Sequence, residues 1–116
     1  MPQETFLNVV RHPGVSVLGG FVGGILVSGC TLIVIPNFMR SGTPYALIEN
    51  VVTHSDHRQR GYGQAVVRRA IEMALEAGCY KVMLLTGRTD PGIMKFYTSC
   101  GFEQTKTGFQ VRADGQ

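Results

Sequence analysis

Apolar residues change their spacing along the chain, and these changes separate strand segments from helical ones. Two uncharged segments, Val15–Val22 and Ile25–Ile35, are joined by Gly23-Gly24, and Val, Ile and Thr dominate the second of them. Two glycines between such segments are typical of a two-residue β-hairpin turn. A third run, Tyr45–Thr53, is almost continuously apolar, and this predicts a strand buried on both faces. The first half of the chain is therefore predicted to contribute three strands.

Helical spacing appears in two later segments. Between about Gly61 and Ala77, apolar residues fall on one stripe and charged residues on the other, and Gly78 marks the end of the predicted helix. Asp90-Pro91 has the composition of a helix start, with a capping side chain followed by proline in the first turn. We expect this second helix to reach Cys100.

Three shorter segments complete the prediction. They are a short helix within Pro2–His12, a strand at Cys79–Leu85 and a last strand near Gly108–Arg112. After the N-terminal helix, the order is strand, strand, strand, helix, strand, helix, strand. This order predicts one domain, residues 1–116, of the α/β (α+β) class, with helices packed on a mixed sheet.

The segment from Pro13 to Met39 contains no charged residue and is flanked by Arg11 and Arg40. Its length fits a membrane-spanning helix, which makes a small membrane-anchored protein one alternative. Its glycines weaken a helix, and its Val, Ile and Thr residues favour strands. We therefore interpret it as the hairpin and predict a cytoplasmic protein without a membrane partner.

The charge balance is mild, with 11 basic and 8 acidic residues and a net charge of +3. It suits an anionic cofactor and falls short of the basic patches typical of nucleic-acid-binding proteins. The three cysteines, Cys30, Cys79 and Cys100, are too few and too widely spaced to indicate a disulfide framework or a metal site. We expect buried thiols, no metal and no nucleic-acid partner.

The junction between the third strand and the next helix reads Arg58-Gln59-Arg60-Gly61-Tyr62-Gly63. A helix start has unpaired N–H groups and partial positive charge, which together bind phosphate. Gly61 and Gly63 let a phosphate approach the backbone, and the two arginines add positive charge. Glycines at such a junction are also common as plain turn residues. Gln64-Ala65 excludes a Walker loop, which has lysine and then Ser or Thr there, and Val66 disfavours a Rossmann loop.

This junction resembles the [Q/R]-x-x-G-x-[G/A] signature of the GNAT superfamily of acyl-CoA N-acyltransferases. Ile48–Thr53 looks like the fourth strand of that family, and Lys95–Phe102 looks like its helix that carries a tyrosine and ends in Gly-Phe. The resemblance covers roughly residues 15 to 112. It implies a mixed, mostly antiparallel sheet flanked by helices, with a central strand splayed to admit acyl-CoA. The first strand and first helix of the family have no counterpart before Val15.

The resemblance implies transfer of an acetyl group from acetyl-CoA to a primary amine by direct attack. Tyr97 matches the family tyrosine near the cofactor sulfur and is the predicted proton donor to the thiolate; the alternative is a core aromatic residue. Glu49 is the predicted general base. Burial of an unpaired carboxylate in an apolar strand costs free energy, which points to a functional role for this residue. The alternative is that Glu49 pairs with an arginine or faces solvent. His54 and His57 are the next candidates for the base.

Acetyl-CoA is the predicted cofactor, held by the splayed strand, the glycine loop and the second helix. The predicted cofactor-binding residues are Val51, Val52, Thr53, Arg58, Gln59, Arg60, Gly61, Tyr62, Gly63, Gln64, Asp90 and Tyr97. Asp90 stands where the family often has an asparagine, and Lys95 is more simply interpreted as solvated. The acceptor is expected to be a small-molecule or peptide amine, and a homodimer is compatible with the short N-terminus. That short N-terminus also motivates an alternative, a non-catalytic acyl-CoA-binding module with a degraded acceptor site.

Overall fold

The computed structural model describes residues 2–115, which divide into two compact units between Leu84 and Leu85. The first unit holds two α-helices and four β-strands, and the second holds one α-helix. In chain order they are α1 (Gln3–Val10), β1 (Val15–Val22), β2 (Ile25–Ile35), β3 (Tyr45–Thr53), α2 (Tyr62–Glu76), β4 (Val82–Met83) and α3 (Pro91–Ser99). That all of residues 1–116 form one domain stays a prediction.

The uncharged segment is a β-hairpin, as predicted. β1 and β2 pair antiparallel up to the partners Val22 and Ile25, so that only two residues form the turn. Gly23 has φ +55° and Gly24 has φ +80°. Positive φ at both central residues is the requirement of a type I′ turn, which glycine meets without strain. Among the described residues, no helix is both long and apolar enough to cross a membrane.

The four strands form one sheet in the order β1-β2-β3-β4. β1, β2 and β3 pair antiparallel, whereas β4 runs parallel to β3. The predicted mixed, mostly antiparallel sheet is confirmed. The ladder between β3 and β4 covers only two residue pairs, Ala46 with Val82 and Leu47 with Met83. Beyond Leu47, β3 therefore has no partner on the β4 side among the described residues.

A β-bulge interrupts β3 where this pairing has already ended. Gly29 of β2 pairs with Val52, and Thr31 pairs with Glu49, so two residues of β3 lie opposite one residue of β2. The first of these two β3 residues, Asn50, has φ +55°. Bulges bend a strand and redirect its side chains. The second half of β3 is thus bent and has one free edge.

The core lies between the sheet and α2. Its members are fully or nearly fully buried, and they are Val27, Cys30, Leu32, Ala46, Ile48, Val66, Val67, Ala70, Ala74 and Cys79. Each large side chain such as Leu32 contributes about 1.5–3 kcal/mol by its burial. The Cys30 thiol donates to the Val66 carbonyl at 3.9 Å, and burial raises its pKa to about 11. Cys30 is therefore an unreactive core thiol, as expected.

Three sequence predictions need correction. The strand predicted at Cys79–Leu85 is regular only at Val82–Met83. No strand forms at Gly108–Arg112, where Phe109 and Val111 are almost fully exposed. Alternating apolar residues favour a strand, but a strand also needs a neighbour to accept and donate its hydrogen bonds. β3 is buried at Ala46 and Ile48 and only half-buried or exposed from Glu49 onward, rather than buried on both faces throughout.

Candidate functional site

The loop between β3 and α2 is built from backbone conformations that short polar residues and glycine support. A 3-10 turn at Ser55–His57 begins where the His54 Nδ1 atom accepts a hydrogen bond from the Asp56 N–H at 3.2 Å. Further along, Gln59 has φ +63° and Gly61 has φ +83°, and Arg60 between them does not have a positive φ. Alternation of this kind turns successive N–H groups toward one side of the loop and creates a concave anion-binding surface.

Helix α2 starts with N–H groups that have no partner in the helix. Gly61 is the N-cap residue and has no side chain to accept from them. The first helical hydrogen bond runs from the Ala65 N–H to the Gly61 carbonyl at 3.0 Å, so the Tyr62 and Gly63 amides precede it. The first turn contains no acidic residue, which leaves the positive end of the helix dipole uncompensated. This end of the helix is chemically suited to bind a phosphate.

Open space adjoins the Gly61 Cα atom on the side where a side chain would be. A Cβ atom placed there meets no atom within 4 Å. Glycine is therefore required at this position by its φ and not by crowding. Gly63 is buried within the first helical turn. The close approach of a phosphate to Gly61 and Gly63 stays a prediction.

The two arginines of the loop are exposed on its rim. The Arg58 Nε–H donates to the Thr53 carbonyl at 3.4 Å, which ties the loop to the end of β3. Arg60 is exposed as well. Both cations lie within the same six-residue segment as the Tyr62 and Gly63 amides, where they favour an anionic ligand over a neutral one.

His57, one of the two histidines considered as a base, lies in the same loop before α2. It is half-buried, and its Nδ1 atom is buried without a hydrogen-bond partner. Its ring centroid lies 5.9 Å from that of Tyr62 and 5.8 Å from that of His54. His57 therefore supports the first residue of α2, while a role as base stays a prediction.

Glu49 lies in a cleft of about 450 Å³ between α1 and the sheet face opposite α2. It is half-buried, and its carboxylate makes no hydrogen bond or ion pair with any described residue. The alternative of an arginine partner is therefore not found within residues 2–115. Next to it, the Asn50 side-chain amide donates to the Thr31 hydroxyl at 3.4 Å. The carboxylate is free to take a cationic or proton-donating ligand.

The half of β3 that lacks a β4 partner includes Val51, which is part of the bulge, and then Val52 and Thr53. Val52 is 62% exposed. Backbone N–H and C=O groups on such an edge are available to an extended ligand that carries its own amides. Their predicted contact with the cofactor has this geometry in its favour and stays a prediction.

Tyr97 lies in the second unit, on α3. It is half-buried, and its ring centroid is 5.1 Å from that of Phe96 and 6.1 Å from that of Phe102. The Phe102 N–H donates to the Tyr97 carbonyl at 3.2 Å. Tyr97 is thus part of an aromatic cluster, which was its alternative interpretation. Its predicted role toward the cofactor sulfur remains a prediction.

Asp90 caps α3, as the Asp90-Pro91 pair predicted. Its carboxylate accepts from the Ile93 N–H at 3.3 Å and from two nitrogens of Arg88 at 3.0 and 3.2 Å. Hydrogen bonding to Arg88, followed by the charge of that guanidinium, holds the pKa of Asp90 below its usual value. The carboxylate already has structural partners, so its predicted contact with the cofactor is a second role that stays a prediction.

Asp90→Ala is expected to destabilise α3, whereas Asp90→Ser preserves most of the stability because serine also caps a helix. Because the pKa is lowered on folding, the charged form stabilises the fold at pH values above the normal value of 3.8. That stabilisation disappears as the pH falls through the lowered pKa. Thermal unfolding at neutral and acidic pH tests this: the gap between wild type and Asp90→Ala should shrink in acid, and a pH-independent gap would contradict it.

Two features of the site were not predicted. The bulge at Asn50 is one, although an asparagine inside an apolar strand is a signal for it, since asparagine tolerates positive φ better than most residues. The other is the cleft around Glu49, whose remaining polar residues come from α1, from His12 and from β2 and β3. Its assembly depends on long-range contacts that sequence spacing does not reveal.

The profile of the acetyltransferase (GNAT) family matches residues 2–102. A probable glucosamine 6-phosphate N-acetyltransferase 2 of Oryza sativa subsp. japonica is 45% identical over 78 residues, 67% of this chain and 45% of that protein. A glucosamine 6-phosphate N-acetyltransferase of Trypanosoma brucei brucei is 33% identical over 91 residues, 78% of this chain and 58% of that protein. This chain spans about half the length of the curated relatives it matches.

One solved structure combines a close fold with substantial sequence identity. A putative acetyltransferase from Agrobacterium tumefaciens str. C58 is 52% identical, with a TM-score of 0.91 over 94% of this chain and 76% of that chain. This likeness agrees with the mixed, mostly antiparallel sheet and its three helices. The chain belongs to the acetyltransferase (GNAT) family.

Proposed function

We propose that this chain transfers an acetyl group from acetyl-CoA to a primary amine by direct attack of the amine on the thioester. Enzymes with the GNAT fold use acetyl-CoA, and no metal is required by the proposed reaction. The observation that carries the proposal is the start of α2, where the Tyr62 and Gly63 amides precede the first helical hydrogen bond beside an open space at Gly61. A diphosphate satisfies both the unpaired amides and the helix dipole.

The rest of the cofactor is proposed to follow the free half of β3. Coenzyme A has an extended arm with two amide groups, and such an arm can hydrogen-bond to a strand edge as an added strand does. The pairing of β3 with β4 ends at Leu47, so the backbone from Val51 to Thr53 offers that edge. The diphosphate end of coenzyme A is proposed to bind to the loop Arg58–Gly63 and to Gln64, the next residue of α2.

The chemistry requires three proton and charge steps. An alkyl ammonium, with a pKa of about 10, must lose a proton before its nitrogen can attack the thioester carbonyl. Glu49, free of other partners, is proposed to take that proton directly or through water. A backbone N–H of β3 near the bulge is proposed to stabilise the oxyanion that forms. The C–S bond then breaks, and the thiolate takes the proton of the Tyr97 hydroxyl. The second proton, which the attacking nitrogen loses as the amide forms, restores that hydroxyl.

Tyr97→Phe is expected to lower kcat roughly 10- to 100-fold, because the thiolate would leave without its proton donor. The dissociation constant of acetyl-CoA should remain within a factor of about two, since the ring and its packing are retained. The measurement is steady-state release of free thiol together with calorimetric titration of acetyl-CoA. Unchanged turnover would remove the proposed role and leave Tyr97 as a packing residue.

A first test of function measures binding and transfer separately. Acetyl-CoA is titrated into the protein, and thiol release is then followed with a panel of amines, corrected for thioester hydrolysis. The names of the curated relatives make amino sugars the first acceptor class to include. Saturable binding with acetylation of an amine supports the enzyme. Binding without transfer to any amine favours the alternative, a non-catalytic acyl-CoA-binding module.

A further inference from the structure

The cleft beside Glu49 carries a second conclusion, which rests on the proposed function for its chemistry. We propose that this cleft is the acceptor site and that it selects a hydroxylated amine without a phosphate group. Its polar lining comes from α1 and from His12, just beyond that helix, on one side, and from β2 and β3 on the other. The polar lining residues are Thr5, Asn8, His12, Thr31, Glu49 and Asn50.

The charge of the cleft comes from one carboxylate. Glu49 is the only Asp or Glu among the described residues that line it, and the lining includes no Lys or Arg. His12 also lines the cleft, and its Nδ1 atom accepts a hydrogen bond from the Gly14 N–H at 3.4 Å. The field of the cleft therefore favours a cation such as an ammonium group.

The helix side of the cleft supplies neutral hydrogen-bonding groups in a row. Thr5 and Asn8 are three residues apart, which places them on one face of α1, and His12 follows just beyond the C-terminal end of that helix. The Thr5 hydroxyl and the Asn8 amide make no hydrogen bond with other described residues. Each has both a donor and an acceptor to offer. A ligand with several hydroxyl groups matches this row better than an apolar amine does.

A phosphate on the acceptor meets the opposite conditions in this cleft. Phosphate sites in proteins use Arg, Lys or unpaired amides at a helix start. Neither Arg nor Lys is among the described residues that line this cleft. The dianion would also be repelled by Glu49. The geometry thus points away from the phosphorylated sugar for which the curated relatives are named. It points to the same kind of ring with a free hydroxyl in place of the phosphate.

The test compares three probes on the full chain saturated with coenzyme A, so that affinity is read without turnover. They are glucosamine, glucosamine 6-phosphate and cyclohexylamine, with dissociation constants measured by NMR titration. We expect glucosamine to bind at least about tenfold more tightly than either other probe, because one lacks the hydroxyls and the other carries the repelled charge. Equal or tighter binding of glucosamine 6-phosphate, or of cyclohexylamine, would overturn the proposal.

Two variants that each add one positive charge test whether the preference for the probe without phosphate arises in the cleft itself. Thr5→Lys adds a cation to the cleft face of α1, whereas Gln3→Lys adds the same cation about two residues away, outside the cleft lining. Thr5→Lys should reduce the preference against the phosphorylated probe about tenfold, and Gln3→Lys should leave it unchanged. Equal effects of the two variants would show that the net charge of the protein, and not the cleft, sets the relative affinity for the two sugars.

Turnover is scored separately from affinity. If no amine is acetylated although coenzyme A binds, the proposed function fails, and the order of the three dissociation constants still decides whether the cleft recognises a hydroxylated amine. If glucosamine 6-phosphate is both bound most tightly and acetylated, the proposed function stands and the inference about the acceptor falls.

Discussion

Gly61→Ala is expected to weaken coenzyme A binding at least about tenfold, because the conformation that opens the phosphate site is one that L-residues avoid. Gly61 has φ +83°, and alanine relieves the strain by rotating φ to a negative value. That rotation re-orients the loop and, with it, the N–H groups at the start of α2. A Cβ atom also enters the open space where the diphosphate is proposed to lie.

Gly78→Ala provides the matched control. Gly78 ends the same helix with φ +88°, and a Cβ atom there also meets nothing within 4 Å. Both substitutions should lower the free energy of unfolding by about 1–2 kcal/mol. Calorimetric titration should then show weakened coenzyme A binding for Gly61→Ala only. Equal affinities of the two variants would mean that the Gly61 loop does not hold the cofactor.

Glu49→Gln is expected to lower kcat roughly 100-fold or more, since the variant keeps the shape of the side chain and loses its ability to accept a proton at neutral pH. The dissociation constant of acetyl-CoA should change little, because Glu49 lies in the cleft with α1 and not in the loop before α2. The measurement is steady-state thiol release by the variant and by the wild-type protein, recorded across the same range of pH.

Glu103→Gln is the control for the loss of one negative charge. Glu103 is exposed, and its side chain makes no hydrogen bond or ion pair with a described residue. Its kcat should stay within a factor of about two of the wild-type value. A Glu49→Gln protein with full kcat and an unaltered pH–rate profile would eliminate Glu49 as the base and shift attention to His54 and His57.

Elements with strong local signals were predictable from the sequence. Gly23-Gly24 fixed the hairpin and therefore the bounds of β1 and β2, because a type I′ turn depends on residues within the turn itself. Gly78 marked the C-terminal end of α2 and Asp90 marked the start of α3, because both signals also lie in the residues at the helix terminus itself. The start of α2 at Gly61 was found through its glycines and arginines, whose chemistry is readable without any tertiary contact.

Features that depend on distant parts of the chain were not predictable. The segment Gly108–Arg112 has the alternation of a strand, but alternation does not supply a paired neighbour. The bulge in β3 depends on the register against β2, which shifts between Gly29 and Thr31. The free carboxylate of Glu49 follows from how α1 lies against the sheet face, and no local pattern encodes that arrangement.

The most direct test of the phosphate site is an NMR titration that follows the backbone amides one by one. Coenzyme A should shift the Gly61, Tyr62 and Gly63 amide resonances saturably, and pantetheine, which has the same arm without phosphates, should leave these three resonances in place. Saturable coenzyme A binding with those amides unmoved would contradict the account. So would the absence of any saturable shift on protein shown to be folded.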